Sequence, residues 1–155
     1  MTGRIENLIA AGRLERLEAA DQEVVGLWAN ALKAFGDALL ADQSHRGRLT
    51  DAYDAGRLAA HAIVRCHGLR VRAANHHEMT IAAAALLSSS PLSDALDRLQ
   101  ATRTLRVEIE YGWSDVVNAP EVEKATSLVR QILEEGARHL RAEREAIKRR
   151  IRPPK

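Results

Sequence analysis

Apolar side chains in this chain recur at the three- and four-residue spacings of an α-helix. The clearest stripe comprises Val25, Trp28, Leu32, Phe35 and Leu39. This spacing places side chains on one face of a helix, whereas a strand requires strict alternation. The alternating stretch at residues 107–111 falls inside a helical window, which favours helix there as well. We therefore predict an all-α protein whose four to six helices pack as a bundle.

Six segments carry the helical pattern. They lie near residues 5–17, 25–39, 49–67, 79–87, 92–111 and 120–147, with loops expected at 42–48, 69–77 and 112–119. Gly12 interrupts the first segment, and Gly68 is placed to end the third. Ser90 and Pro91 are placed to cap and begin the fifth. A single bundle domain is expected to span residues 1–137.

The composition excludes two broad classes of protein. Hydrophobic residues make up 46% of the 155 residues and charged residues 28%, which is typical of a globular chain and not of a disordered or membrane protein. The longest apolar stretch, near residues 81–87, is far shorter than the ~20 residues that cross a bilayer. The lone cysteine, Cys66, cannot form an internal disulfide, so a cytoplasmic location is expected. No His or Cys array has zinc-ligand spacing, so no metal ion and no other cofactor is expected.

Positive charge is concentrated at the C-terminal end. Residues 138–155 contain eight Lys or Arg and two Glu, a balance of +6, while the whole chain has a formal net charge of +2. We interpret this part as a basic helical extension and tail. Such a tail can bind nucleic acid, but cations also stabilise the C-terminal end of a helix, and the tail alone favours that simpler reading.

Two short segments concentrate reactive side chains. The first runs from Arg65 to His77 and contains Arg70, Arg72, His76 and His77, four candidates for RNA contact. Arginine can bind phosphate with two parallel hydrogen bonds, and histidine exchanges protons near neutral pH. A solvated loop between helices would explain the same composition equally well.

The second segment runs from Arg103 to Tyr111. On a helix, Arg103, Arg106 and Glu110 share one face, and Tyr111 follows at its end. Arg106 and Glu110 are also spaced for a surface ion pair, which contributes only about 0.3–0.5 kcal/mol. On spacing alone, a charged helix face is the simpler interpretation.

These segments resemble the HEPN superfamily, the helical "higher eukaryotes and prokaryotes nucleotide-binding" domains. The stretch Tyr53–Ala60, continuing through HGLRVR at 67–72 to the pair of histidines at 76–77, is similar to the family's Ala-rich helix, Gly–Arg turn and paired His. The stretch Arg103–Tyr111, followed by Val122–Leu133, is similar to the family's motif helix and the helix after it. The resemblance covers a core of about residues 49–135.

The resemblance implies an up-and-down bundle that forms a homodimer. In active members, an Arg and a His four to six residues apart on one helix meet their dimer mates and cleave RNA without a metal. Many members are toxins or phage-defence proteins, often beside a nucleotidyltransferase partner. Carried over, Arg103 or Arg106 matches the motif arginine. The motif is degenerate here, because Glu108, Ile109, Glu110 and Tyr111 stand where the histidine would follow.

Three hypotheses follow. The first is an HEPN-like protein of a toxin–antitoxin or defence system that binds or cleaves RNA. In it, Arg103 and Arg106 hold phosphate, Glu110 and Tyr111 shape the cleft, and the segment 70–77 lines it. The second is a non-catalytic helical dimer that binds a partner such as an antitoxin or a nucleotidyltransferase. The third is nucleic-acid binding through residues 138–155. We favour the first, with cleavage left open because the motif histidine is absent.

Overall fold

A computed structural model of the chain describes the backbone of residues 2–110 and 117–155, and side-chain surroundings for residues 3–102 and 117–155. Its elements are α1 (Thr2–Ala10), β1 (Leu14–Arg16), α2 (Asp21–Ala38), α3 (His45–Cys66), β2 (Leu69–Val71), α4 (His76–Leu87), α5 (Leu92–Glu110), α6 (Ala119–Glu143) and a 3-10 turn at Glu145–Ile147. The all-α bundle predicted from the sequence is confirmed. Within the described residues, no helix has the length and apolar character needed to cross a membrane.

The N-terminal segment differs from the prediction of a helix over residues 5–17. Helix α1 ends at Ala10, because Gly12 takes a positive φ of 74° and turns the chain. The next residues form β1, which pairs antiparallel with β2 and sets Leu14 opposite Val71. Leu17 is consequently exposed rather than part of a helical stripe.

Three other boundaries also differ from the predicted ones. The expected loop at 42–48 gives way to α3 at His45, where the Ser44 side chain accepts a hydrogen bond from the Gly47 N–H at 3.0 Å. The expected connection at 69–77 contains β2 and the first turn of α4. The last helix ends at Glu143 instead of continuing to 147.

Helix α3 is the centre of the bundle and contacts α2, α4, α5 and α6. Its small residues permit these close approaches, since five alanines are fully buried: Ala52, Ala55, Ala59, Ala60 and Ala62. At Gly56 the approach is closest, because an added Cβ would lie 2.7 Å from a methyl group of Leu99 in α5. Alanines also take part in the buried face of α2, where Ala31 and Ala38 are buried while Leu39 is exposed.

The basic C-terminal segment packs against the bundle. Ile147 and Ile151 are fully buried. The Trp28 indole N–H of α2 donates to the Arg152 carbonyl at 2.7 Å, and Arg141 of α6 donates to the Ile151 carbonyl at 2.7 Å. The last residues therefore belong to the folded body, and deleting them would remove core side chains together with charge.

Candidate nucleic-acid interface

The first turns of three helices surround residues 100–102 of α5. Gln100 donates to the carbonyl of Glu78, in the first turn of α4, at 2.9 Å. Arg48, in the first turn of α3, pairs with Glu123, in the first turns of α6, at 3.5 Å. We call this region, where α3 and α6 begin beside α5, the helix-start end. The first residue of α4, His76, lies farther along α3, next to His61.

A cleft of about 540 Å³ opens at the helix-start end between α3, α5 and α6. Its lining includes Leu49, Arg98, Thr102, Glu121, Lys124 and Gln131. Arg98 donates to the Gln131 side chain at 3.2 Å, and Lys124 is exposed. The cleft thus combines an apolar wall with two cations and the carboxylate of Glu121.

Helix dipoles add positive potential at the same place. The first turn of a helix carries unpaired N–H groups and a partial positive charge, which favours bound anions. In α6, the Asn118 side chain occupies one of these groups by accepting from the Glu121 N–H at 3.0 Å. In α4, by contrast, Asn75 makes no side-chain capping bond, so its side chain does not occupy the first-turn N–H groups.

A row of cationic and imidazole side chains connects α3 to the start of α4. The rings of His61 and His76 lie edge to face with centroids 6.0 Å apart, and His77 follows at 6.2 Å from His76. Arg57 stands one turn before His61 on α3, with its Nε 3.8 Å from Asp54 Oδ1 and without a hydrogen-bond partner for that nitrogen among the described residues. A buried guanidinium N–H without a partner is a group that an anionic ligand could satisfy.

Burial keeps the imidazole of His61 neutral near pH 7. Desolvation is the main reason that the pKa of His61 is lowered, and the positive charges of His76 and Arg57 lower it further. A neutral imidazole can accept a proton. Our sequence interpretation missed His61, although Arg57 and His61 stand four residues apart on an Ala-rich helix, a signal that was available.

The two arginines predicted on the segment after α3, one on β2 and one directly after it, share one carboxylate. Arg70 and Arg72 both pair with Glu15 of β1, Arg72 at 2.8 Å. The Arg72 hydrogen bond is the main reason that the pKa of Glu15 is lowered. Both guanidinium groups stay about half exposed, so the ion pairs leave part of each accessible while reducing its net charge.

The predicted motif residues lie beyond the cleft along α5. The backbones of Arg103, Arg106 and Glu110 continue α5 past Gln100, at about 1.5 Å per residue, while their side chains fall outside the described residues. Tyr111 falls outside the described residues altogether. The roles assigned to these four residues therefore stay predictions.

A second cluster lies at the other end of α3. His67 follows the last residue of α3, and its Nε2 lies 2.8 Å from Nε2 of His139 in α6. Together with Glu143, these residues offer three donor atoms within 4.8 Å of one another. In the described part of the chain, this is the group of side chains that could hold a metal ion. Sequence spacing could not reveal it, since 72 positions separate the two histidines.

Comparison of the chain with protein-family models, with curated proteins and with solved structures finds no match. The resemblance to the HEPN superfamily accordingly stays a prediction that rests on the residues quoted for it.

Proposed function

We propose that this chain is an HEPN-like RNA-binding protein of the toxin–antitoxin or phage-defence type, and that it binds the RNA backbone at the helix-start end. The observation that carries the proposal is the cleft that the first turns of α3 and α6 form beside α5, with Gln100 of α5 also in contact with the first turn of α4. Helix α5 continues from there into the segment that carries Arg103 and Arg106. The paired histidines begin α4, which contacts α5 at Gln100. The backbone of the arginine segment continues α5 from that contact.

Each group has a role that its chemistry suits. Arg103, Arg106 and Arg57 bind phosphate oxygens, because guanidinium groups match them geometrically. His76 and His77 line the path at the uncapped start of α4. In this proposal, Glu110 and Tyr111 shape the path of the RNA beyond the cleft. If the protein also cleaves RNA, neutral His61 is the described imidazole best suited to accept a proton from a ribose hydroxyl.

RNA binding is tested by fluorescence anisotropy with a short labelled single-stranded RNA. We expect the double variant Arg103→Ala/Arg106→Ala to bind at least tenfold more weakly, with a smaller dependence on salt. The matched control is Arg138→Ala/Arg149→Ala, which removes two exposed arginines from the C-terminal part. An equal loss in the control would move the binding to the basic tail, and absence of binding by the unaltered protein would refute the proposal.

Cleavage is tested separately, by gel analysis of the same RNA in the presence of EDTA. We expect His61→Ala to abolish any cleavage while RNA affinity falls less than threefold. Full cleavage by this variant would refute the assignment of His61 as the proton acceptor.

The proposal includes a homodimer and a protein partner of the antitoxin or nucleotidyltransferase class. Light scattering of the purified chain is expected to give twice the monomer mass of 17.1 kDa. Co-purification with the product of a neighbouring gene is expected for the partner. A monomeric chain would contradict the dimer and leave each RNA site to be formed by one subunit.

A further inference from the structure

The cluster formed by His67, His139 and Glu143 joins the ends of two helices. His139 and Glu143 stand four residues apart in the last turns of α6, so their side chains share one face. His67 follows α3, which packs beside α6. Along α3, His67 lies about 27 Å from Leu49, so the cluster is remote from the cleft at the helix-start end.

The two imidazoles face each other through the same ring nitrogen. Burial is the main reason that the pKa values of both His67 and His139 are lowered. A neutral imidazole has one lone pair, which binds a metal ion or accepts a hydrogen bond. The Nε2 atoms of the two rings lie 2.8 Å apart, so one Nε2–H now donates to the other lone pair. Both rings therefore direct the same type of nitrogen to one point.

The carboxylate supplies the negative charge that a divalent cation requires. Glu143 is exposed, and its donor oxygen belongs to the group of atoms within 4.8 Å. The neighbouring cation, Arg144, is held by other partners: it donates to Asp21 Oδ1 and to the Ala19 carbonyl at 2.9 Å, and to the Cys66 carbonyl at 3.2 Å. Its charge is thus largely compensated beside the cluster.

The distances are close to those of a coordination sphere. Zinc binds imidazole nitrogen at about 2.0–2.1 Å and carboxylate oxygen at about 2.0–2.2 Å, which places tetrahedral donors about 3.3 Å apart. The two Nε2 atoms would separate by about 0.5 Å, and the exposed Glu143 side chain would rotate toward them. Both are side-chain movements, and neither requires a change in α3 or α6.

A cavity beside His67 leaves room for a further ligand. It has a volume of about 380 Å³, and its lining includes His67, Leu69, Leu86 and Leu87, with Glu6 and Arg16 as its charged members. Metal sites with three protein ligands commonly keep a fourth position for water or a substrate.

We propose that His67, His139 and Glu143 bind one divalent transition-metal ion, best matched by Zn²⁺, with the fourth position taken by water. The bound ion links the end of α3 to the last turns of α6. The site is distant from the cleft, while His61 stands six residues before His67, about 9 Å away along α3.

Isothermal titration of EDTA-treated, dialysed protein with Zn²⁺ tests the site. We expect one ion per chain, and a loss of affinity of at least tenfold in His67→Ala and in His139→Ala. Glu143→Gln keeps both imidazoles and should weaken binding less. The control His45→Ala removes an exposed histidine at the start of α3 and should bind as the unaltered protein does. Absence of saturable binding, or equal losses in the control, would overturn the proposal.

Two further readouts separate metal binding from a structural role of the histidines. Co²⁺ in place of Zn²⁺ should give the visible absorption of a tetrahedral site, and this band should be lost in His139→Ala. Zn²⁺ should raise the melting temperature of the unaltered protein and of His45→Ala, and should raise that of Glu143→Gln by less at the same concentration. Because Glu143 is exposed, its variant keeps the fold. Equal rises in all three proteins would assign the ion elsewhere.

Discussion

Replacing Arg65 is the sharpest test of what holds the N-terminal segment on the bundle. Its side chain is buried near the end of α3, and its guanidinium donates to four acceptors. Nε donates to Glu23 Oε2 at 2.5 Å, Nη1 to the carbonyls of Leu17 at 2.7 Å and Leu69 at 2.9 Å, and Nη2 to the carbonyl of Glu18 at 3.3 Å. One side chain therefore ties α2, β2 and the segment between β1 and α2 to α3.

Arg65→Met keeps the length of the side chain and removes every donor. The Leu69 carbonyl is buried and would lose this partner, at a cost of about 1–3 kcal/mol. The other acceptors are partly exposed, and Glu23 is 45% exposed, so water can replace much of what they lose. The cost should therefore stay below the 3–5 kcal/mol typical of breaking a fully buried pair. We expect a loss of about 2–3 kcal/mol in the free energy of unfolding.

Urea denaturation followed by far-ultraviolet circular dichroism measures this loss as a lower midpoint at an unchanged slope. The matched control is Arg138→Met on α6, because Arg138 is exposed and pairs only with Glu135 one turn away among the described partners. We expect the control to change the free energy of unfolding by less than about 0.5 kcal/mol. A loss below about 1 kcal/mol in Arg65→Met would refute the reasoning.

The same contact predicts a dependence on pH. The Arg65 hydrogen bond is the main reason that the pKa of Glu23 is lowered below its ordinary 4.5 in the folded state. Stability from a lowered carboxyl pKa is present above the unfolded pKa and is lost as the pH falls through the folded value. Part of the acid destabilisation below about pH 4.5 should therefore disappear in Arg65→Met. An identical acid profile in both proteins would contradict this.

Three further predictions concern packing and the thiol. Gly56→Ala should destabilise by about 1–3 kcal/mol in thermal unfolding, because the new Cβ meets buried Leu99, whereas exposed Gly26→Ala should stabilise by up to about 1 kcal/mol. Ile151→Ala should lower the free energy of unfolding by about 2–5 kcal/mol, because this tail residue is fully buried. A change below about 0.5 kcal/mol, the size typical of a surface substitution, would exclude Ile151 from the core. Burial raises the pKa of the Cys66 thiol to about 11. Iodoacetamide at pH 8 should therefore alkylate the native protein far more slowly than the urea-unfolded chain. Equal rates of alkylation would contradict the burial of this thiol.

Helices were predictable where the signal is local. The fifth helix was expected over 92–111 and is observed at Leu92–Glu110. The last helix was expected to begin at about residue 120, and α6 begins at Ala119, where the Asn118 side chain accepts from the Glu121 N–H. Side-chain spacing and capping depend on residues within a turn or two, which a single sequence contains.

The strands were not predictable from a pattern. β1 and β2 have three residues each, too few for an alternation to be recognised. Their pairing joins positions far apart in the chain, with Glu15 opposite Arg70. Leu17 was assigned to a helix on its hydrophobic spacing alone, although Gly12 stands between it and α1.

The candidate sites illustrate the same division between local and distant information. His76 and His77 were found because they are adjacent in the sequence, but their neighbour His61 comes from another helix. The contact between His67 and His139 depends on the packing of α3 beside α6. Chemistry that depends on such packing is invisible to spacing, because any two helices could in principle be neighbours.

The two ends of α3 are suited to different ligands, and this follows from helix direction. At the helix-start end, α3 and α6 present the positive ends of their dipoles, which favours an anion such as phosphate. His67 and His139 lie near the C-terminal ends of α3 and α6, where the dipoles are negative and favour a cation. The donor set at that end, two neutral imidazoles and one carboxylate, adds to the same preference. An RNA backbone at one end and a metal ion at the other are therefore compatible, and EDTA should remove the ion without weakening RNA binding.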